Sequence, residues 1–229
     1  MLEQPISEEE VLSSLKSMAR NKTPGEDGLP AEFYTVFWND IKLHIMSSYQ
    51  YSFENNSLSI TQKRGILCLL PKKSDPLQLK NWRPISLLNV DYKLVAKVVA
   101  ERLKTCLPYL INEDQSGFIK GRYIGQNIVS LTDIIHYTEE NDIPALLVSV
   151  DFEKAFDKLG WTFMIKSLEY FQFPEYIIKW VSILYTDIQS CISNNGCSSN
   201  YYRRLHRGVR QGCPLSPNIF IIAVELLAI

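Results

Sequence analysis

Leu146-Leu147-Val148-Ser149-Val150-Asp151-Phe152-Glu153-Lys154-Ala155-Phe156-Asp157 is the stretch on which the reading of this chain turns. Residues 145–150 are almost wholly apolar, short and β-rich at their end, the pattern of a strand buried on both faces. Such a strand would deliver the carboxylate of Asp151 from a rigid element into a crevice. A second stretch, Arg207-Gly208-Val209-Arg210-Gln211-Gly212-Cys213-Pro214-Leu215-Ser216-Pro217, offers a basic, glycine-containing turn just ahead of a helix. Divalent cations take hard oxygen ligands, and Mg²⁺ is usually held by one or two carboxylates plus substrate phosphates. Asp151 is therefore the candidate metal ligand, with the backbone carbonyl of Phe152 as a further donor. An Asp at a strand end would equally serve to cap the next turn. Asp157 would not share the geometry of Asp151 if the chain bends after the strand.

The rest of the chain alternates helical and short extended patterns. Ser7-Glu8-Glu9-Glu10 is a capping box that predicts a helix carrying Val11, Leu12, Leu15 and Met18. Two glycines and a proline make 23–28 a loop. Residues 32–51 read as one helix with Phe33, Val36, Phe37, Ile41 and Ile45 on one side. Residues 65–70 predict a strand, 71–76 a turn, and 82–87 the segment leading out of it. Helices are predicted over 94–107, 128–137, 163–171 and 175–188. Asn194-Asn195-Gly196 predicts a hairpin with arms at 190–193 and 201–205. Ser216-Pro217 predicts the cap of a last apolar helix reaching Leu227. The class is mixed α/β or α+β, helix-rich, with few strands.

Composition bounds the chemistry only loosely. The 229 residues are 46 % hydrophobic and 21 % charged, enough for a real core in one large domain or two small ones. The net charge of −1 gives no hint of nucleic acid, but local charge does. Arg203, Arg204, Arg207 and Arg210 cluster without an acid among them, and Lys63, Arg64, Lys72, Lys73, Lys80 and Arg83 crowd a second stretch. Such clusters track phosphates even on a neutral protein, although they also describe an ordinary solvated face. The five cysteines have no zinc-site spacing and read as free thiols, mostly core filler. No apolar run approaches a membrane span. With no targeting segment in view, an intracellular protein of nucleus or cytoplasm is expected.

Val150-Asp151-Phe152-Glu153-Lys154-Ala155-Phe156-Asp157 resembles the first palm motif of reverse transcriptases, and residues 207–217 resemble their next one. The long form of the second motif is most similar to the LINE-type, non-LTR retrotransposon branch. Asn21-Lys22-Thr23-Pro24-Gly25-Glu26-Asp27-Gly28 is similar to that branch's N-terminal extension loop. Leu70-Pro71-Lys72 and Asn81-Trp82-Arg83-Pro84-Ile85-Ser86 are similar to its fingers motifs, and Gln115-Ser116-Gly117-Phe118 to the segment between fingers and palm. Together and in order along the chain, these stretches say far more than any one of them.

The resemblance implies an RNA-directed DNA polymerase that uses an RNA template, a DNA primer, deoxynucleoside triphosphates and two Mg²⁺ ions. Asp151 resembles the catalytic, metal-binding Asp, with Phe152 contributing its carbonyl. Phe156 matches the steric gate that favours deoxynucleotides, although core packing would also account for it. Lys72 and Arg83 resemble the pair that grips the triphosphate, Arg through a planar fork and Lys as a point charge. Lys73 is the alternative to Lys72 and a candidate template/primer contact. Gln211 and Gly212 resemble residues beside the nucleotide and templating base. Arg207 and Arg210 are candidates for template or primer phosphate, and Trp82 reads as core.

The implied fold is a right-hand polymerase divided into an N-terminal extension and loop (1–60), fingers (61–144) and a partial palm (145–229) that includes a fingers/palm segment at 190–217. The sequence departs from the family in containing no Asp-Asp pair, which the resemblance places on a hairpin after the last helix. An incomplete hand without the second half of the palm or the thumb is thus expected, with no turnover from this polypeptide alone. The alternative is a non-catalytic, RNA-binding remnant of a truncated element. The sequence sets no oligomeric state.

Overall fold

The computed structural model describes residues 2–72, 75, 77–202 and 207–227. Lys73 and the Arg203–Arg204 part of the basic cluster lie outside the described residues. Helix α1 (Glu8–Lys16) begins where the capping box predicts: Glu10 N–H donates to Ser7 Oγ and Ser7 N–H to Glu10 Oε2. The single helix read over 32–51 is two, α2 (Ala31–Val36) and α3 (Trp38–Glu54), broken at Phe37. The break resets the buried stripe. Tyr34, Trp38, Ile45 and Tyr49 face inward, while Val36 and Phe37 stay exposed. Tyr34 to Tyr49 still follow spacings of four, seven and four residues, so the aromatic side chains carry the helical period.

A short α4 (Ile60–Lys63), capped by Ser59 and Gln62, leads into β1 (Arg64–Pro71). A 3-10 turn at Leu79–Asn81 precedes β2 (Trp82–Leu88), which pairs antiparallel to β1. Helix α5 (Val90–Lys104) is the centre of the molecule. It is buried on nearly every side because its flanks meet α1, the later α10 (Glu175–Tyr185) and α11 (Ser216–Glu225). A buried Arg102 sits on α5. Its guanidinium donates to both Glu10 carboxylate oxygens at 2.7 Å and to the carbonyls of Gln4 and Pro5. This bidentate pair fixes α1 and the N-terminal segment to the core.

Helices α6 (Leu107–Leu110) and α7 (Ile124–Glu140) follow, then α8 (Ala155–Lys158) and α9 (Trp161–Tyr170) before α10. The chain then forms β3 (Gln189–Asn194) and β4 (Cys197–Ser198). The sheet order is β2-β1-β3-β4, with β1 and β3 parallel. The predicted hairpin forms at Asn195 and Gly196, both at positive φ as a type I′ turn requires. Its second arm is Cys197–Ser198 rather than 201–205, although Tyr202 still exchanges backbone hydrogen bonds with Ser190. Ser216 is the first residue of α11, not its cap, and its hydroxyl donates to the Arg210 carbonyl. Two of the free cysteines, Cys191 and Cys213, are buried as core filler. Among the described residues no helix is long and apolar enough to cross a membrane.

The strand expected over 145–150 does not form. Leu146, Leu147, Val148 and Val150 are between 66 % and 87 % exposed. A strand buried on both faces needs neighbours for its backbone ladder, and none of the four strands of the sheet pairs with residues 145–150. Helix α7 forms as its periodicity predicts, yet none of its residues is buried. Its apolar stripe and the 146–150 segment remain uncovered.

Candidate nucleotide and metal site

The β1–β2 hairpin sets the basic wall of the site. Leu70 pairs with Arg83 and Pro71 with Trp82, and Lys72 N–H donates to the Asn81 carbonyl at 2.8 Å. The Lys72 ammonium donates to the Lys80 carbonyl at 3.1 Å and has no other partner among the described residues. Arg83 is exposed, with no ion-pair partner among the described residues. By contrast Lys63 and Arg64 of the same predicted basic cluster are paired, with Asp187 and Glu26.

The opposite wall is the segment around α8. Lys154 sits in the left-handed region at φ 54° and starts the short helix that turns Phe156 and Asp157 toward the sheet. Phe156 is half-buried, stacked on Phe220 at 4.7 Å between ring centroids and edge-on to Phe118 at 6.3 Å. Packing therefore holds the ring while one side of it lines the cleft.

The 207–213 turn closes the cleft from beneath. Val209 N–H donates to the Phe156 carbonyl and Gly208 N–H to the Leu159 carbonyl, each at 2.7 Å. Ser86 N–H donates to the Gln211 carbonyl, also at 2.7 Å, which ties the turn to β2. Gln211 Nε2 donates to Asp157 Oδ1 at 3.2 Å. Gly212 has φ +113°, and a Cβ there would fall 2.6 Å from the Ser86 carbonyl oxygen, so only glycine allows this approach.

These three walls enclose a cleft of about 720 Å³. Lys72, Arg83, Phe156 and Gln211 all line it, though they come from four separate places in the sequence. Leu67, Leu69 and Ile192 form its apolar floor. Trp82, expected as core, lines it too, and so do Lys80 of the basic cluster and Lys154 and Asp157, which sequence reasoning did not select. In the sequence Asp157 is legible only as a second acid near Asp151. Its place is set by the bend after residue 153.

Two basic residues of the turn part company. Arg207 is exposed and bridges Gly160. Arg210, expected at template or primer phosphate, turns inward and is 6 % exposed. Its guanidinium lies 5.1 Å from the Tyr92 ring centroid and donates to the Lys63 carbonyl, and its Nε and Nη1 are buried without a partner among the described residues. Burial, then the neighbouring Cys213, pushes the Tyr92 hydroxyl well above its ordinary value, so a neutral ring faces the buried cation. Arg210 thus buttresses the turn from within.

The donor chemistry for a divalent ion is present in part. Asp151 is exposed, on the irregular segment three residues before Lys154, and is not among the residues lining the cleft. Among the described residues no group of three His, Cys, Asp or Glu side chains could hold an ion. A cation at Asp151 would need oxygens from elsewhere, such as the phosphates that usually complete an Mg²⁺ shell.

The chain is thus a mixed α+β fold whose sheet carries a basic hairpin over an apolar-floored cleft. Residues 70–228 match the family described as reverse transcriptase (RNA-dependent DNA polymerase). Over 224 residues the chain is 36 % identical to the transposon TX1 uncharacterized 149 kDa protein of Xenopus laevis, covering 98 % of this chain and 17 % of that protein. It is 26 % identical over 226 residues to the retrovirus-related Pol polyprotein from type-1 retrotransposable element R2 of Popillia japonica, covering 97 % and 30 %. It is 23 % identical over 223 residues to the probable RNA-directed DNA polymerase from transposon BS of Drosophila melanogaster, covering 95 % and 24 %. The chain belongs to the reverse transcriptase family, with non-LTR retrotransposon proteins among its relatives. It spans less than a third of the length of these relatives.

Proposed function

We propose that this chain is the nucleotide-selecting part of an RNA-directed DNA polymerase of a LINE-type retrotransposon, and that the cleft between the β1–β2 hairpin and α8 receives a deoxynucleoside triphosphate. The observation that carries this reading is the convergence of Lys72, Arg83, Phe156 and Gln211 on one cleft. In this reading residues 61–144 are fingers, 145–229 belong to a palm, and 1–60 are an N-terminal extension. The parallel pairing of β1 with β3 supports a joint between fingers and palm at that place.

In the reaction the primer 3′-hydroxyl oxygen attacks the α-phosphorus, the α–β phosphoanhydride bond breaks, and pyrophosphate leaves. Arg83 offers a planar fork to non-bridging oxygens, and Lys72 offers a movable point charge. Phe156, held by Phe220, presents its ring where a ribose 2′-hydroxyl would lie. Gln211, steadied by Asp157, borders the base. Arg207 and Lys73 are assigned to template or primer phosphate. Asp151 and the Phe152 carbonyl would hold Mg²⁺, which when bound neutralises developing charge on the phosphates.

A second reading, RNA binding without chemistry, rests on the basic residues at the cleft and turn, Lys72, Arg83 and Arg207. Primer extension on an RNA–DNA hybrid separates the two. We expect no Asp151-dependent synthesis by this polypeptide alone, with dTTP still bound. Removing the charged contacts in R83A or K72A is expected to weaken dTTP binding by about ten- to a hundredfold, at about 1.5–3 kcal/mol per charged hydrogen bond. Binding unchanged in both variants overturns the assignment of the cleft.

A further inference from the structure

The sequence holds two Ser/Thr–Pro pairs, Thr23-Pro24 and Ser216-Pro217. Their hydroxyls have opposite surroundings. Ser216 is 2 % exposed, and its hydroxyl donates to the Arg210 carbonyl at 2.9 Å. Thr23 ends a run of exposed residues, 19–23, and its hydroxyl has no hydrogen-bond partner among the described residues. The loop that displays it is held on both sides. Asn21 N–H donates to Glu32 Oε1 at 2.6 Å, and beyond Pro24 a Cβ at Gly25 would fall 2.0 Å from Asn89 Oδ1.

Thr23 lines a cavity of about 410 Å³ whose charge is unbalanced. Four lysines, Lys22, Lys93, Lys97 and Lys104, border it against one acid, Glu101, which is paired with Lys104 at 2.7 Å. The acids of the adjoining loop are engaged as well. Glu26 pairs with Arg64 at 3.1 Å, and Asp27 Oδ1 accepts from Leu29 N–H at 3.0 Å. Lys97 donates to the Ser17 carbonyl at 3.0 Å, a neutral acceptor. Lys93 is half-buried on α5 with no hydrogen bond or ion pair among the described residues. Burial holds its ammonium below the ordinary lysine range, and Asp27 and Cys213 offset this only in part. A half-buried cation without a partner is costly unless an anion comes to it. Among the residues lining the cavity, Thr23 alone carries a hydroxyl on which an anion can be built.

We propose that Thr23 is a phosphorylation site for a protein kinase that reads Ser/Thr–Pro pairs, and that Lys93 and Lys97 receive the phosphate. In the transfer Thr23 Oγ1 attacks the γ-phosphorus of ATP. The bond from that phosphorus to the β–γ bridging oxygen breaks, the hydroxyl proton passes to the kinase's base, and ADP leaves. The phosphothreonine carries a charge of about −1.5 to −2 at pH 7, and charge of this kind orders a loop when cations stand opposite it. Gly212 and Pro214 also line the cavity, so the phosphate ties the 21–28 loop to α5 beside the turn that carries Gln211. The inference does not depend on what the nucleotide cleft binds.

The test treats the folded 229-residue chain with a proline-directed kinase and Mg-ATP, maps the phosphate by mass spectrometry, and footprints the product by lysine acetylation. Thr23 should take up phosphate while the buried Ser216 does not. Acetylation of Lys93 and Lys97 should then slow by about tenfold, the worth of one charge-assisted hydrogen bond, with Lys166 on α9 unchanged. T23A treated in the same way should keep the reactivity of the untreated wild-type chain. Because the footprint is read on wild-type protein, misfolding of T23A cannot mask the result. A folded chain left unmodified at Thr23 by a kinase that phosphorylates the free 19–27 peptide overturns the site. Phosphorylated Thr23 with Lys93 and Lys97 as reactive as before overturns the lysine cradle. Equal protection in kinase-treated T23A overturns the assignment to Thr23.

Discussion

Gly212 lies against the backbone of Ser86, and no side chain fits between them: a Cβ at position 212 would stand 2.6 Å from the Ser86 carbonyl oxygen. The same two segments are tied by the hydrogen bond from Ser86 N–H to the Gln211 carbonyl. The turn is therefore locked to the strand that carries Arg83. G212A must either push the turn from β2 or strain a backbone at φ +113°, at a cost of about 1–3 kcal/mol. Chemical denaturation should show that loss, and dTTP binding should weaken with it. An unchanged unfolding midpoint would mean that the turn is free to move.

Arg102 and Glu10 make the second prediction. Arg102 is 3 % exposed, so E10Q would leave a buried guanidinium with a weakened partner, at a cost on the order of 3 kcal/mol. A difference below about 0.5 kcal/mol by urea unfolding would show that α1 docks through its apolar side chains alone.

The same pair sets a pH dependence. Burial is the largest influence on Glu10 and raises its pKa, but hydrogen bonds from Arg102 and Ser7 together with the Arg102 charge carry it below the ordinary 4.5. A carboxyl whose pKa is lower folded than unfolded contributes stability that is present above the unfolded value and lost as pH falls through the folded one. The wild-type chain should therefore lose stability as pH drops below about 4.5, and E10Q should lose less over that range. Parallel pH profiles for the two chains would contradict the pairing.

The uncovered apolar stripe of α7 predicts self-association. Ile128 and Ile134 are each about 60 % exposed, and the neighbouring 146–150 segment adds Leu146 and Val150. Exposed apolar surface of this extent drives association unless something covers it. I128K/I134K should reduce light scattering and leave the unfolding midpoint within about 0.5 kcal/mol, as surface changes do. A large drop in stability would mean that the stripe packs within the chain.

Local patterns are readable wherever local physics decides. Ser7 and Glu10 announce α1, Asn195-Gly196 announces its turn, and the motif residues Lys72, Arg83, Phe156 and Gln211 do meet at one cleft. What fails depends on distant partners. The 146–150 segment has strand composition, but composition supplies no neighbour to hydrogen-bond with. Arg210 reads as a surface cation because Tyr92 and Lys63, which hold it, lie 118 and 147 residues away. Asp157 carries no signal of its role because the link to Gln211 spans 54 residues.

The account stands or falls on what occupies the cleft between the hairpin and α8. Photocrosslinking of a thymidine triphosphate analogue to the 229-residue chain, with the labelled peptides mapped by mass spectrometry, tests this most directly. The account predicts label on the peptides carrying Lys80–Arg83 and Phe156, abolished by excess dTTP and sharply reduced in R83A. Label confined to peptides remote from these residues, or unaffected by R83A, would contradict it.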